Sequence, residues 1–146
     1  MSEKKDIQAF TTYRLIKSED LNHHGTLFAG RSAEWFVESG FIAASSILNP
    51  KNVICLKIHG MHFSKSVKLG KTVCYNSKIV YCGKTSIVAY INVSTINHPN
   101  DIIVDGFITF VHVNEDTKPI AHGIEMIALT NEDIKLQERA IALKNK

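Results

Sequence analysis

A polar segment rich in turn-forming residues, 20–30, leads directly into a stretch that is apolar on almost every side. We expect a helix over 29–48 that ends before Asn49-Pro50, because the residue before a proline is pushed out of the α region. A helix of this kind must be covered over most of its surface. Between Trp35 and Ile47 its only ionisable residue is Glu38. A carboxylate is costly to bury there unless it is paired, protonated or used, so Glu38 is the first candidate for chemistry.

Long segments with a strand pattern surround this helix. Strands are predicted over 10–17, 52–64, 71–81, 85–96 and 102–113, with a last short one over 120–126. The alternation is clearest at 85–96, where Ile87, Ala89, Ile91 and Val93 share one face and Ser86, Val88, Tyr90 and Asn92 the other. Because long strands with short turns favour antiparallel pairing, and twist lets such a sheet curl, we predict an α+β fold with an antiparallel sheet wrapped around one long central helix.

The length of the chain suits a single domain. We expect residues 1–146 to form one unit with a core over about 10–127. A capping-box pattern that starts at Thr130 opens a C-terminal helix, predicted over about 131–144. The outer face of the sheet is still partly apolar at Val88 and Tyr90, and this predicts oligomerisation.

The composition disfavours several classes of function. The net charge is only +3 and the lysines are scattered, so neither nucleic acid nor a membrane is expected as a partner. The three cysteines lack CxxC spacing, which favours reduced thiols in a cytoplasmic protein. The first residues lack the apolar run of a signal peptide, and the longest apolar stretch is too polar to span a bilayer. Without HxH or HxxxH spacing, no metal is expected.

Four short motifs stand in a defined order along the chain. They are Asp20-x-Asn22-x-x-Gly25-x-x-Phe28-x-Gly30, Met61-x-Phe63-x-Lys65-x-x-x-x-Gly70, Gly83-Lys84-Thr85-Ser86-Ile87 and Phe107-x-x-Phe110-Val111. Over roughly residues 10–114 the chain thereby resembles the YciA-type acyl-CoA thioester hydrolases, which have the hotdog fold. The resemblance implies a cytoplasmic enzyme of lipid metabolism that hydrolyses acyl-CoA to free acid and CoA without a cofactor. It also implies a homodimer assembled further into a tetramer or hexamer.

One position departs from this family. Members usually carry the catalytic acid where this chain has Val37. Glu38 lies one residue on, about 100° around the helix, and Glu34 lies about 60° from Val37. Many relatives carry a pair of acids here, and this chain keeps only the second. We favour Glu38 because its neighbours are apolar, whereas Glu34 forms an i,i+3 pair with Arg31 that is typical of a solvated surface.

Thioester hydrolysis needs an activated water and a site for the developing oxyanion. We expect Glu38 to take a proton from water or to attack the carbonyl itself. The start of the helix offers free backbone N–H groups, and the N–H of Gly30 is the predicted oxyanion donor. Asn22 can both donate and accept, and would hold the water or the carbonyl. In the family the asparagine and the acid usually come from different subunits.

The CoA moiety needs partners for its phosphates. By resemblance, the turn formed by Lys84, Thr85 and Ser86 would contact the nucleotide, and Lys65 is a second candidate for a phosphate.

Several alternatives remain open. Asn22 could only shape the loop, Gly30 could serve packing, and the Lys84 turn could be an ordinary hairpin. The substitution at Val37 motivates a module that binds acyl-CoA without hydrolysis. His24 precedes Glu38 by fourteen residues, a spacing that resembles hotdog dehydratases acting on 3-hydroxyacyl thioesters.

Overall fold

Helix α1, Ala29–Ser45, lies against the concave face of one antiparallel sheet. The computed structural model describes residues 2–145. The strands are β1 Glu3–Asp6, β2 Ala9–Leu15, β3 Val53–Ile58, β4 His62–Phe63, β5 Thr72–Cys82, β6 Ser86–Thr95, β7 Val104–His112 and β8 Ile124–Ile127. A second helix, α2, spans Asn131–Ala142, and single 3-10 turns occupy Ser18–Asp20, Pro50–Asn52 and Leu143–Asn145.

The main sheet has the order β2-β5-β6-β7-β3, and the short β4 also pairs with β7. Every pairing in it is antiparallel, as predicted. Helix α1 approaches the middle of this sheet closely at Gly40. A Cβ atom at that position would lie 3.2 to 3.4 Å from Ile91, Ile108 and Phe110. The predicted arrangement, a curved sheet around one long helix, is therefore present.

The alternation predicted for β6 is also present. Ile87, Ala89, Ile91 and Val93 pack in the core with α1. Val88 and Tyr90 face the other way, where Leu136 and Ala140 of α2 cover them. The expectation that this outer face drives oligomerisation is therefore wrong, because the chain covers it with its own C-terminal helix. The sequence predicts the C-terminal helix but does not indicate which surface it packs against. In the structure that surface is the outer face of the sheet at Val88 and Tyr90.

Two local features differ from the sequence prediction. A short strand, β1, pairs in parallel with β8 and was not expected from the charged sequence Glu-Lys-Lys-Asp. The predicted strand over 52–64 is broken in two, because Gly60 adopts a φ of +113° and its carbonyl group packs directly against Gly106 of β7. After this break the chain rejoins the same edge as β4, which also pairs with β7, and Lys68 further on forms a bridge with Thr26 in the loop that precedes α1.

Strand β3 forms an exposed edge of the main sheet. It pairs with β7 on one side only, and Ile54, Leu56 and Ile58 are exposed, Leu56 to 64%. An unpaired apolar edge is unusual for an isolated domain, since it invites pairing with another chain. Within residues 2–145 no helix has the length and apolarity needed to cross a membrane.

Candidate functional site

The loop before α1 is organised around Asp20, whose side chain is almost fully buried. One carboxylate oxygen accepts the backbone N–H of Lys17 at 3.0 Å, and the other lies 3.3 Å from Nε of Arg31. The carbonyl oxygen of Asp20 accepts the N–H of Phe28 at 2.8 Å. A buried carboxylate is tolerated when it is paired and hydrogen-bonded in this way. Asp20 therefore fixes where the loop meets the start of the helix.

Asn22 shapes the turn that follows. Its Oδ1 accepts the backbone N–H groups of His24 at 2.9 Å and Thr26 at 3.2 Å, and its Nδ2 donates to Oγ1 of Thr26 at 3.1 Å. The structural role considered for Asn22 is thus present. An asparagine amide carries two N–H donors, and this network uses one of them. The second donor is available to a ligand, so the two roles of Asn22 are compatible.

A groove of about 290 Å³ opens beside Asn22 and brings together residues from four parts of the chain. We call it the Asn22 groove; its lining residues are Asn22, Thr26, Leu27, Ala29, Ser32, Phe63, Ser64, Lys65, Ser66, Val67, Ile103 and Val104. Two of the predicted site residues, Asn22 and Lys65, therefore share one surface. Most of the other groups are apolar side chains or hydroxyls, the mixture typical of small-molecule sites.

Ser32, in the wall of the Asn22 groove, pairs with the buried hydroxyl of Tyr75 behind it. Oγ of Ser32 lies 2.9 Å from the hydroxyl of Tyr75 on β5. Burial raises the pKa of Tyr75 to about 12. The phenol therefore stays protonated and bonded to Ser32 at neutral pH. The sequence pattern does not single out this pair, because serine and tyrosine are common on buried faces and their contact depends on how α1 packs on β5.

The first turn of α1 carries free backbone donors close to the Asn22 groove. The N–H groups of Arg31 and Ser32 both bond to the carbonyl of Phe28. Among residues 2–145, no acceptor bonds to the N–H of Ala29 or Gly30, and Phe28 supplies no side-chain cap. The ring of Phe28 also covers Gly30, where a Cβ atom would come within 2.6 Å of it. A side chain at position 30 would thus displace the exposed ring of Phe28, and Gly30 itself presents an unpaired donor.

Glu38 is not buried in the single chain, and that expectation is wrong. Its side chain is 54% exposed and pairs with Arg14 of β2 at 2.5 Å. The guanidinium of Arg14 in turn lies 5.2 Å from the ring centre of Trp35. The sheet covers one face of α1 rather than its whole circumference, so a residue on the far side remains open to water. The sequence could not indicate this, because the apolar residues of α1 extend beyond the face that the sheet contacts.

The side of α1 that carries Val37 faces the open edge of the sheet. Phe41, about one turn further on, packs against Phe110 of β7 with ring centres 5.9 Å apart. Glu38 points instead toward β2, on the opposite edge. Glu34 is solvated as predicted, with a side chain 69% exposed and 3.9 Å from Arg31. No carboxylate lines the Asn22 groove among the residues that the structure describes.

The predicted nucleotide-binding turn lies at the far end of the sheet from Asn22. This turn connects β5 to β6. The N–H of His112 donates to the carbonyl of Thr85, the N–H of His122 donates to the carbonyl of Lys84, and the ring of His122 bonds to the carbonyl of Ser86. The loop of Asn22 bonds instead to Lys68, close to the start of β5. Strand β5 has eleven residues, a length of about 35 Å at 3.3 Å each. Within one chain, Lys84, Thr85 and Ser86 therefore cannot contact a ligand centred on Asn22.

Lys65 lies in the Asn22 groove, but it already has an anionic partner. Its Nζ is 2.6 Å from Oδ2 of Asp101, and both side chains are about half exposed. His24, the residue considered for dehydration, is exposed and lies against His23, with ring centres 3.9 Å apart and ring planes tilted by 43°. Glu38 has Arg14 as its partner, so the single chain does not assemble a histidine–glutamate pair. No cluster of three potential metal ligands occurs within the described part of the chain.

Comparisons with known proteins identify the family and the fold of the chain. The sequence profile of the thioesterase superfamily matches residues 24–99, just over half of the chain. A curated protein of Bacillus subtilis, the uncharacterized acyl-CoA thioester hydrolase YkhA, is 22% identical over 129 residues, which cover 86% of this chain and 74% of that protein.

Solved structures place the fold in the same group. An acyl-CoA hydrolase of Staphylococcus aureus in complex with butyryl-CoA and CoA superposes with a TM-score of 0.85 at 20% identity, covering 95% of this chain and 84% of that one. A hexameric acyl-CoA thioesterase also gives a TM-score of 0.85, at 26% identity, covering 94% and 88%. These neighbours confirm the predicted hotdog fold and the predicted family resemblance. The chain belongs to the thioesterase superfamily.

Proposed function

We propose that the protein is an acyl-CoA thioesterase, which hydrolyses acyl-CoA to a free acid and CoA. The observation that carries this proposal is the Asn22 groove, which opens beside the unpaired N–H groups at the start of α1. A thioester carbonyl in the groove would meet Gly30 as oxyanion donor and the spare amide N–H of Asn22. Water and protein side chains suffice for this reaction, so we propose that no cofactor takes part. A cytoplasmic location remains a prediction.

We propose Glu38 as the catalytic acid. In the single chain Glu38 faces β2 and pairs with Arg14, away from the Asn22 groove. Its carboxylate would therefore have to reach a groove on another copy, after exchanging Arg14 for the attacking water. This agrees with the family resemblance, in which asparagine and acid come from different subunits.

Pairing of two copies through β3 would bring the Lys84 turn to the substrate site, whereas Glu38 lies on the β2 side of α1 and would need a different contact between copies. The strand starts beside His112, near the Lys84 turn, and ends beside Ile108, toward β4 and the Asn22 groove. Antiparallel pairing of two β3 edges about a two-fold axis therefore sets the Lys84 turn of one copy beside the Asn22 groove of the other. We propose this homodimer as the unit that assembles into a tetramer or hexamer.

Assembly through β3 is tested by introducing a charge on that edge. Leu56→Glu places a carboxylate on the exposed apolar strand and is expected to shift the protein to a smaller species in analytical ultracentrifugation. Leu129→Glu is the matched control, since Leu129 is 70% exposed but lies outside β3. An unchanged sedimentation coefficient for Leu56→Glu would exclude this edge as the interface.

The hydrolase proposal is tested by release of free thiol from a panel of acyl-CoA esters. Glu38→Gln is expected to lower kcat by about 100-fold or more, the range for loss of a general base. Glu34→Gln is the matched control on the same helix and should have little effect. Full activity in Glu38→Gln would remove the acid from the mechanism, and no release by the wild-type oligomer at any chain length would refute the function.

Asn22 needs a variant that separates its two roles. Asn22→Asp retains an acceptor for the N–H groups of His24 and Thr26 but removes the amide donor. We expect kcat to fall by about 10- to 1,000-fold while the melting temperature changes little. Asn22→Ala should lower both. Equal activity of Asn22→Asp and wild type would restrict Asn22 to its structural role.

A second candidate function is a module that binds acyl-CoA without hydrolysing it. It is favoured by the lack of a carboxylate in the lining of the Asn22 groove and by the position of Glu38 on the other side of α1. Saturable binding of acyl-CoA in calorimetry, with no thiol released by the same preparation, would establish this function in place of the first.

A further inference from the structure

A second cavity, of about 530 Å³, adjoins the Asn22 groove and is rich in lysine. We call it the basic basin and define it by Lys65, Lys68 and Lys71. It lies between the segment that follows β4 and the loop that connects β6 to β7. The two cavities share the lining residues Lys65, Ser66, Val67 and Ile103. They therefore form one continuous surface, which suits an elongated ligand with two chemically different ends.

The backbone holds the basic basin in place beside the loop of Asn22. Lys68 forms an antiparallel bridge with Thr26, which is also hydrogen-bonded to Asn22. The N–H of Lys71 then bonds to the carbonyl of Lys68 at 3.3 Å, and Gly70 closes this turn with a φ of +86°. The N–H of Gly70 donates to Ile16 at 3.0 Å. The two lysines thus project from a turn that is anchored both to the Asn22 loop and to the end of β2.

The charges in the basic basin are unbalanced. Its lining includes three lysines but only one carboxylate, that of Asp101. Asp101 pairs with Lys65 at 2.6 Å. Within residues 2–145, neither Lys68 nor Lys71 takes part in an ion pair. Two unpaired ammonium groups on one turn form a site for an anion, and lysine is a common partner of phosphate.

We propose that Lys68 and Lys71 bind the phosphate groups of the CoA moiety while the thioester occupies the Asn22 groove of the same chain. This inference rests on the proposed function and assigns the phosphates to residues other than the Lys84 turn. The apolar and hydroxyl-lined groove takes the acyl and pantetheine parts, and the basic basin takes the nucleotide end. Lys65, neutralised by Asp101, then contributes less than either of the other two lysines.

Three thioesters with the same acyl group test this assignment, namely acyl-CoA, its 3′-dephospho form and acyl-pantetheine. We expect the double variant Lys68→Ala/Lys71→Ala to lower kcat/KM for acyl-CoA by roughly tenfold, the effect of losing two exposed charge contacts. The loss should be smaller for the dephospho ester and absent for acyl-pantetheine. Lys68→Arg/Lys71→Arg should retain activity. Lys135→Ala, on the exposed face of α2, is the matched control and should behave as wild type.

Each outcome is diagnostic. An equal loss on all three thioesters would mean that the substitutions damage the fold or the groove, and would overturn the assignment. A loss confined to phosphorylated substrates in Lys84→Ala, with none in the double variant, would assign the phosphates to the turn instead. If the wild-type protein hydrolyses none of the esters, calorimetry with CoA and with pantetheine still decides. CoA affinity that falls about tenfold in the double variant, with pantetheine unaffected, supports the basin even though the hydrolase proposal has failed.

Discussion

Replacing Gly106 by alanine should destabilise the protein and displace one wall of the Asn22 groove. Gly106 lies on β7 opposite Gly60, at the point where β3 ends. A Cβ atom there would overlap the carbonyl oxygen of Gly60, at a separation below the 3.0 Å that real Cβ atoms keep, and would lie 3.2 Å from the ring of Phe36. Because the obstacle is backbone, the segment around Gly60 has to move as a whole.

The magnitude follows from two contributions. Overpacking of a closely packed position costs about 1–3 kcal/mol, and Gly106 is partly buried. Movement of the segment also weakens the hydrogen bond from the N–H of His59 to the carbonyl of Phe107, now 2.9 Å, which is worth about 0.5–1.5 kcal/mol. We therefore expect a loss of about 2–4 kcal/mol in the free energy of unfolding. For a chain of this size that lowers Tm by roughly 5–15 °C.

Urea denaturation monitored by the fluorescence of Trp35 measures this loss, and Gly40→Ala is the matched control. Gly40 is buried, but a Cβ atom there meets only the ends of side chains, at 3.2 Å or more. The gain of about 0.5–1 kcal/mol from removing glycine from a helix should offset that crowding. Since β4 leads from Gly60 to Lys65, Gly106→Ala should also raise KM for acyl-CoA. Equal stability of the two variants would refute the reasoning that this backbone contact positions the segment.

Three further changes test the buried polar groups. Tyr75→Phe leaves the hydroxyl of Ser32 without its partner and should cost about 1–3 kcal/mol in urea denaturation; a neutral effect would mean that water replaces the phenol. Burial raises the pKa of Tyr75 and of Tyr90 to about 12, so both phenols hold their protons more firmly in the folded state. The free energy of unfolding should therefore be constant below pH 10 and fall as the pH rises toward 12, by up to roughly 3 kcal/mol for each tyrosine. An unchanged urea midpoint at pH 12 would contradict this. Asp20→Ala leaves the N–H of Lys17 without its acceptor and removes one partner of Arg31, and should cost about 1–3 kcal/mol, with a loss of Tm larger than that of Glu38→Ala.

Periodicity predicts the secondary structure well where one face of an element is buried by another. Strand β6 shows this, since its two faces contact α1 and α2 as the alternation indicates. Strand β1 escapes prediction because its four residues are charged or polar and its order depends on pairing with β8. The break at Gly60 likewise depends on Gly106, 46 positions further along the chain. Local patterns indicate which residues are buried, whereas long-range contacts determine where strands end.

In the candidate site, too, local features follow from the sequence and features that depend on long-range contacts do not. The motif from Asp20 to Gly30 correctly indicates a structured loop that ends at free helical N–H groups, because turn chemistry and helix termini are local. The burial of Glu38 could not be inferred in that way. Residues of α1 are apolar on two sides, one for the sheet and one that remains open in the single chain, and composition does not distinguish them. Arg14, the partner of Glu38, is brought there only by the docking of β2.

The open edge at β3 has a consequence for the single chain in solution. A newly made chain displays a strand of unbonded amides flanked by isoleucine and leucine. Such a strand can also pair with unrelated strands and start cross-β aggregation. Dilution and slow synthesis therefore prolong the time during which the chain is prone to aggregate. If a second copy covers this strand only in the native state, mass action makes resistance to heat and proteolysis increase with protein concentration.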